Sequence, residues 1–64
     1  MSEHALFVSR AKAITSAERM RFVMLDAAWF EVHDRGAIVG YGVRYKNHAG
    51  WFRVTEKDVV RYGL

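Results

Sequence analysis

The sequence predicts a small α+β domain, in which an N-terminal helix packs on a three-stranded antiparallel meander and a short C-terminal helix follows. Three observations lead to this prediction. Three β-rich runs in the second half are separated by turn sequences, apolar and polar residues alternate along those runs, and a helix-start signal follows the last run. The chain has 64 residues, no proline and no internal repeat, so we expect a single domain over residues 1–64.

The predicted strands cover residues 29–33, 37–46 and 51–55. Turns at 34–36 and 47–50 each contain a glycine and join the strands into two successive hairpins. Alternation divides the side chains between a buried face and a wetter face of the sheet. The buried set is Phe30, Val32, Val39, Tyr41, Val43, Tyr45, Phe52 and Val54. The wetter set is Trp29, Glu31, His33, Ile38, Gly40, Gly42, Arg44, Lys46, Trp51 and Arg53.

A short helix is predicted after the third strand. Thr55 can cap the free backbone amides, and Asp58 adds a negative charge at the positive end of the helix dipole. We expect the helix to run to about Tyr62 and to end at Gly63. Val59 and Tyr62 would then face the core.

The first half of the chain permits two interpretations. Thr15 and Glu18 form a capping-box pattern, which predicts a helix over residues 16–28. The alternating apolar residues of 19–24 also fit a strand, as do residues 5–9. The helix gives the α+β domain that we favour, whereas the strands would give an SH3-like small β-barrel.

The charge of the chain is unevenly distributed. The formal net charge is +3, and residues 35–64 hold six basic and two acidic residues. No acidic residue occurs between Arg35 and Thr55. This asymmetry favours an anionic partner over a neutral one.

The composition also bears on location and assembly. There is no cysteine, no basic leader and no apolar segment long enough to span a bilayer, so we expect a cytoplasmic protein that does not enter a membrane. Hydrophobic residues make up 52% of the chain. A domain of this size buries only about 60% of the surface that its unfolded chain exposes, so apolar surface remains for a homodimer.

No pattern in the sequence indicates an enzyme. The serine and threonine hydroxyls are explained as helix caps or loop residues, and no phosphate loop, nucleophile elbow or carboxylate pair is present. His33 and His48 lie at opposite ends of the predicted central strand, too far apart to share one metal ion. We therefore expect neither catalysis nor a cofactor or metal. Mid-strand glycines such as Gly40 and Gly42 mark a bulge, a sharp bend or the close approach of another backbone. We expect helix packing across them, with a flat binding platform as the alternative.

The basic and aromatic residues of the wetter face form the candidate binding site. Cations that follow phosphates, together with aromatic rings on which bases stack, are how proteins hold single-stranded nucleic acid. The candidate residues are Arg44, Lys46, Trp51 and Arg53, with Trp29 beside them and Lys57 and Arg61 extending the basic strip. The alternative is that the tryptophans are core or dimer-interface residues and the arginines form a solvated rim.

The last part of the chain resembles a known DNA-binding arrangement. The stretch Gly50-Trp-Phe-Arg-Val-Thr-Glu-Lys-Asp-Val-Val-Arg-Tyr62 is similar to the wing strand and following helix of excisionase-type winged-helix proteins. The resemblance implies that Arg44, Lys46 and Arg53 contact backbone phosphates. The upstream sequence departs from that family, because it does not predict a helix-turn-helix with a recognition helix.

Two functional hypotheses follow. The first is a small non-enzymatic module that binds nucleic acid through the basic and aromatic sheet face. The second is a protein-binding module, such as an inhibitor or adaptor of a larger complex, which the apolar content of so small a chain favours.

Overall fold

The computed structural model describes residues 3–64 and has two helices and one sheet. The elements are α1 Arg10–Arg21, β1 Asp26–Asp34, β2 Ala37–Asn47, β3 Gly50–Arg53 and α2 Glu56–Tyr62. The strands form an open antiparallel sheet in the order β1-β2-β3. The predicted α+β fold is confirmed, and the SH3-like barrel is wrong because the first half of the chain forms a helix and the sheet does not close.

Helix α1 begins earlier than predicted. Its N-cap is Ser9, whose side chain accepts a hydrogen bond from the backbone N–H of Lys12 at 3.3 Å. The capping-box pattern at Thr15 therefore lies inside the helix, and the helix ends seven residues before the predicted boundary at Ala28. Residues 26–28 instead belong to β1, which starts three residues before the predicted strand.

A stripe of small residues fixes α1 against the sheet. The buried residues of the helix recur at the three- and four-residue spacing of one helix face, and they are Ala13, Ser16, Ala17 and Met20. Because three of the four side chains are small, the helix backbone can approach β1 and β2 closely. Met20 is completely buried and is the largest apolar side chain that α1 contributes to the core.

Helix α2 begins and ends where the sequence predicts. The Thr55 hydroxyl accepts a hydrogen bond from the backbone N–H of Asp58 at 3.3 Å, and the Asp58 carboxylate accepts one from the N–H of Thr55 at 2.9 Å. Gly63 ends the helix in the left-handed conformation, with φ 64°. Val59 and Tyr62 pack against the core, as predicted.

A β-bulge determines which side chains of β1 face the core. His33 is opposite Ile38, but Val32 is opposite Gly40, so Val39 is an extra residue on β2. Side chains alternate with a period of two along a strand. One extra residue on β2 therefore reverses which side chains of β1 face the core beyond the bulge.

The predicted faces of β1 are therefore wrong. Trp29 is opposite Val43, which is completely buried, and Glu31 also lies on this helix-covered face. Phe30 and Val32 lie on the other face. Without the bulge the predicted assignment would hold, since Phe30 would then be opposite Tyr41.

The N-terminal segment completes the layer beside β2. The N–H of Ala5 donates to the carbonyl of Val54 at 3.0 Å, and Phe7 and Tyr41 exchange two backbone hydrogen bonds of 2.8 Å. Ala5 and Phe7 are buried in the core. The segment thus occupies the edge of β2 that β3 is too short to cover.

The two faces of the sheet differ in their covering. One is covered by α1 and holds the core, whose buried apolar residues are Ala5, Phe7, Ala13, Ala17, Met20, Ala27, Val43 and Val54. The other, here called the open face, has no helix packed on it among the described residues. It carries Phe30, Gly42, Arg44, Lys46, Trp51 and Arg53.

Two further predictions can be compared with the fold. Within residues 3–64, neither helix is long and apolar enough to cross a membrane. One helix precedes the sheet in this part of the chain, so the helix-turn-helix of winged-helix proteins is not formed there.

Candidate nucleic-acid interface

Arg44 and Arg53 lie side by side at the centre of the open face. They are direct partners in the β2–β3 pairing, and Lys46 is opposite Trp51 two residues further along. The sequence prediction that these four residues share one face of two neighbouring strands is confirmed. Alternation sufficed here because the pairing of β2 with β3 has no bulge.

Each arginine of the pair is seated on an aromatic ring. The guanidinium carbon of Arg44 is 5.0 Å from the centre of the Trp51 ring, and that of Arg53 is 5.1 Å from the centre of the Phe30 ring. Both distances are within the range of cation–π contacts. These contacts hold the guanidinium groups over the sheet while they remain charged.

Phe30 reaches the arginine pair because Gly42 has no side chain. Gly42 is the β2 partner of Phe30, and a Cβ at Gly42 would lie only 2.3 Å from the Cζ of Phe30. The far edge of the phenyl ring therefore occupies the space that a side chain at Gly42 would fill, and Arg53 lies over the ring. Gly40 has the same role for Leu6, whose Cδ1 would be 2.6 Å from an added Cβ.

The close approach predicted at the two glycines is thus real, but its cause differs from the one expected. Side chains on the open face fill the space, whereas α1 packs on the opposite face of the sheet. The alternation along β1 predicts Phe30 in the buried set. The residues around it in the sequence do not indicate that its ring lies beneath Arg53. The bulge that brings it there is visible only in the pairing of β1 with β2.

A shallow depression of about 270 Å³ lies over the arginine pair. Its lining residues are Phe30, Arg44, Trp51, Phe52 and Arg53. Trp51 is 45% exposed, so part of its ring remains accessible although Arg44 packs against it. The depression combines two cations, an accessible indole ring and an open side toward solvent.

The positive charge of the arginine pair is not neutralised within residues 3–64. No carboxylate of this part of the chain lies within ion-pair distance of Arg44 or Arg53. Asp26 is opposite Lys46, but its carboxylate accepts a hydrogen bond from the N–H of Ala27 at 2.8 Å. Like charges placed directly opposite on neighbouring strands are destabilising, so the arrangement favours an added anion.

Three predicted site residues lie outside the open face. Trp29 is on the helix-covered face, where its ring centre is 6.1 Å from that of Tyr41, so the prediction that it lies beside Arg44 is wrong. Lys57 and Arg61 are on α2 and line a separate depression that they share with Glu56 and Asp58.

Tyr45 lies on the helix-covered face of the sheet, opposite the buried Ala27. Burial, and secondarily the charge of Asp58, raise the pKa of the Tyr45 hydroxyl. Tyr45 packs against Phe52 with ring centres 6.0 Å apart. Tyr45 therefore supports β3 from the covered face and is not part of the charged surface.

Comparisons with known proteins do not assign this chain to a family. No protein-family model, no curated protein and no solved structure matches it.

Proposed function

We propose that this protein is a small, non-enzymatic, cytoplasmic module that binds nucleic acid through the open face of its sheet. The observation that carries the proposal is the arginine pair. Arg44 and Arg53 are opposed on neighbouring strands, each is seated on an aromatic ring, and neither is paired with a carboxylate of the described chain.

Phosphate is the anion that this geometry suits best. A guanidinium presents its donors in a planar fork that matches two oxygens of a phosphate, and it stacks on aromatic planes at the same time. Two such groups side by side form a site for a polyanion rather than for a single carboxylate. The adjacent Lys46 extends the same charged surface.

The test is a matched pair of charge-reversal variants. Arg44→Glu with Arg53→Glu changes the net charge from +3 to −1, and so does Arg10→Glu with Lys12→Glu on the exposed start of α1. We expect the first variant to lose binding of a mixed-sequence oligonucleotide, measured by fluorescence anisotropy, while the second keeps most of it. Circular dichroism would establish that both variants are folded.

Equal losses in the two variants would attribute binding to net charge and would contradict a site on the open face. Unchanged binding by the folded Arg44 and Arg53 variant would overturn the proposal. A third variant, Lys57→Glu with Arg61→Glu, measures whether α2 extends the surface as the sequence predicts.

A second candidate function is supported by a different surface. Residues 22–25 connect α1 to β1 and form an apolar loop, in which Phe22 is 89%, Val23 58% and Leu25 60% exposed. Exposed aromatic and aliphatic side chains that lie together are typical of protein-binding sites. This loop favours a protein partner or a second copy of the chain.

A further inference from the structure

We infer that the ligand of the open face is single-stranded, with one base stacked on Trp51 and the phosphate backbone passing over Arg53, Arg44 and Lys46. This inference rests on the proposed function, since it names the form of nucleic acid that the same site takes.

The first argument is the accessibility of aromatic surface at the site. Trp51 has Arg44 against its ring and is 45% exposed, whereas the Phe30 ring is half-buried, with its edge against Gly42 and the guanidinium of Arg53 over it. Trp51 is therefore the more accessible of the two rings for stacking a base. In a duplex the bases are already stacked on one another, so a flat ring on a sheet surface is useful only when the bases are free.

The second argument is the path of the positive charge. Arg53 and Arg44 are cross-strand partners, and Lys46 follows Arg44 on the same face of β2, about 7 Å further along the strand. The three cations occupy three corners of a four-residue block whose fourth corner is Trp51, since Trp51 is the partner of Lys46. A single flexible backbone can bend along these three cations while presenting a base to the ring.

The third argument is the shape of the surface. Proteins that read the major groove commonly insert a helix into it, and both helices of residues 3–64 are packed on the core side of the sheet. No helix of residues 3–64 packs on the open face, and the depression in it is shallow. It therefore suits a nucleic-acid single strand that lies across it. It has no protrusion that could enter a groove of a duplex.

The roles within the site then separate. Trp51 contacts the base, and Arg44, Lys46 and Arg53 contact phosphates. Phe30 and Gly42 are positioning residues, because the ring of Phe30 supports Arg53 and the lack of a side chain at Gly42 admits that ring.

The experiment uses variants that each keep one tryptophan. Trp29→Phe retains Trp51 as the reporter on the open face, and Trp51→Phe retains Trp29 on the covered face. Both are titrated with an oligothymidylate of about 12 nucleotides, within the usual site sizes of small nucleic-acid-binding folds. The same titration is made with a duplex of equal length and with inorganic polyphosphate, which has no bases.

We expect saturable quenching by the oligothymidylate in the Trp29→Phe variant and no quenching in the Trp51→Phe variant. Three neutralised phosphates predict a slope of log K against log[salt] of about −2 for a single strand. Trp51→Ala should weaken binding roughly 5- to 150-fold, as expected for one lost base stack, while Trp51→Phe recovers most of the affinity.

The alternative outcomes separate the two claims. Binding of the duplex as tightly as the single strand would overturn the inference and leave the proposed function standing. Binding of polyphosphate as tightly as oligothymidylate, or an equal affinity for Trp51→Ala and Trp51→Phe, would overturn the base stack. If neither nucleic acid binds at low salt, the proposed function itself is overturned. Thermal unfolding of each variant shows whether a loss of affinity is a loss of fold.

Discussion

A single missing side chain shapes the binding surface. Gly42 leaves the space in which the Phe30 ring lies, and that ring in turn seats the guanidinium of Arg53. The residues that flank Phe30, Gly42 and Arg53 in the sequence do not indicate these contacts. The position of Arg53 thus depends on a residue on each of the other two strands.

Gly42→Ala tests this dependence. Its Cβ would lie 2.3 Å from the Cζ of Phe30, so the ring must move away. Arg53 then loses the aromatic ring against which its guanidinium packs. We expect a loss of about 1–3 kcal/mol in the free energy of unfolding, as for other overpacked sites, together with weaker oligonucleotide binding. Chemical denaturation and anisotropy measure the two effects.

The matched control for Gly42→Ala is the double variant with Phe30→Leu. The smaller side chain should relieve the clash and recover stability, but it should not restore binding because Arg53 has no ring beneath it. If Gly42→Ala changed stability equally in the wild-type protein and in the Phe30→Leu variant, the contact between Gly42 and Phe30 would not be the cause of the loss.

The elements differ in how far their sequences determine them. The approximate bounds of helix α2 follow from the sequence, because Thr55, Asp58 and Gly63 give local signals at both ends. The start of α1 does not, because Ser9 and Thr15 are both able to cap a helix. The choice between them is made by tertiary packing, which requires the stripe from Ala13 to Met20 to face the sheet.

Two substitutions distinguish the possible starts of α1. Ser9→Ala removes the hydroxyl that accepts from Lys12 and should cost about 0.5–2 kcal/mol of stability. Thr15→Ala replaces an exposed residue inside the helix with a better helix former and should be neutral or stabilising by a few tenths of a kcal/mol. The midpoints of urea unfolding measure both. The reverse order would place the helix start at Thr15 instead.

The same contrast applies to the binding site. The sequence correctly predicts one shared face for Arg44, Lys46, Trp51 and Arg53. Alternation alone is enough here, because the pairing of β2 with β3 is regular. Trp29 was misplaced, since a bulge has no signature in the sequence beyond a nearby glycine.

The whole molecule exposes apolar surface outside the site proposed on the open face. The apolar loop at residues 22–25 is separate from the arginine pair and comprises three strongly exposed side chains. Three side chains fall well short of the ~800 Å² that each partner buries in a standard interface. Contact through this loop alone is therefore expected to be weak.

We predict weak, concentration-dependent self-association through this loop. Phe22→Ser with Leu25→Ser should abolish it without loss of stability, because exposed substitutions usually change stability by no more than about 0.5 kcal/mol. Sedimentation velocity at increasing protein concentration makes the measurement. Val8→Ser with Val60→Ser removes apolar side chains of similar exposure elsewhere and should leave association unchanged. A monomeric wild-type protein at all concentrations would contradict the prediction.

The bulge at Val39 has a consequence for how this surface can change during evolution. Substitutions alter one side chain at a time, but closing the bulge at constant chain length would bring Val39 into the pairing, shift β1 by one residue and exchange its inner and outer residues together. Trp29 would then replace Phe30 beside the arginines, and the hydrophobic layer would have to accept Phe30 in return. Related chains of the same hairpin length in which the bulge is closed should therefore differ from this one in the aromatic residue that they offer to a ligand.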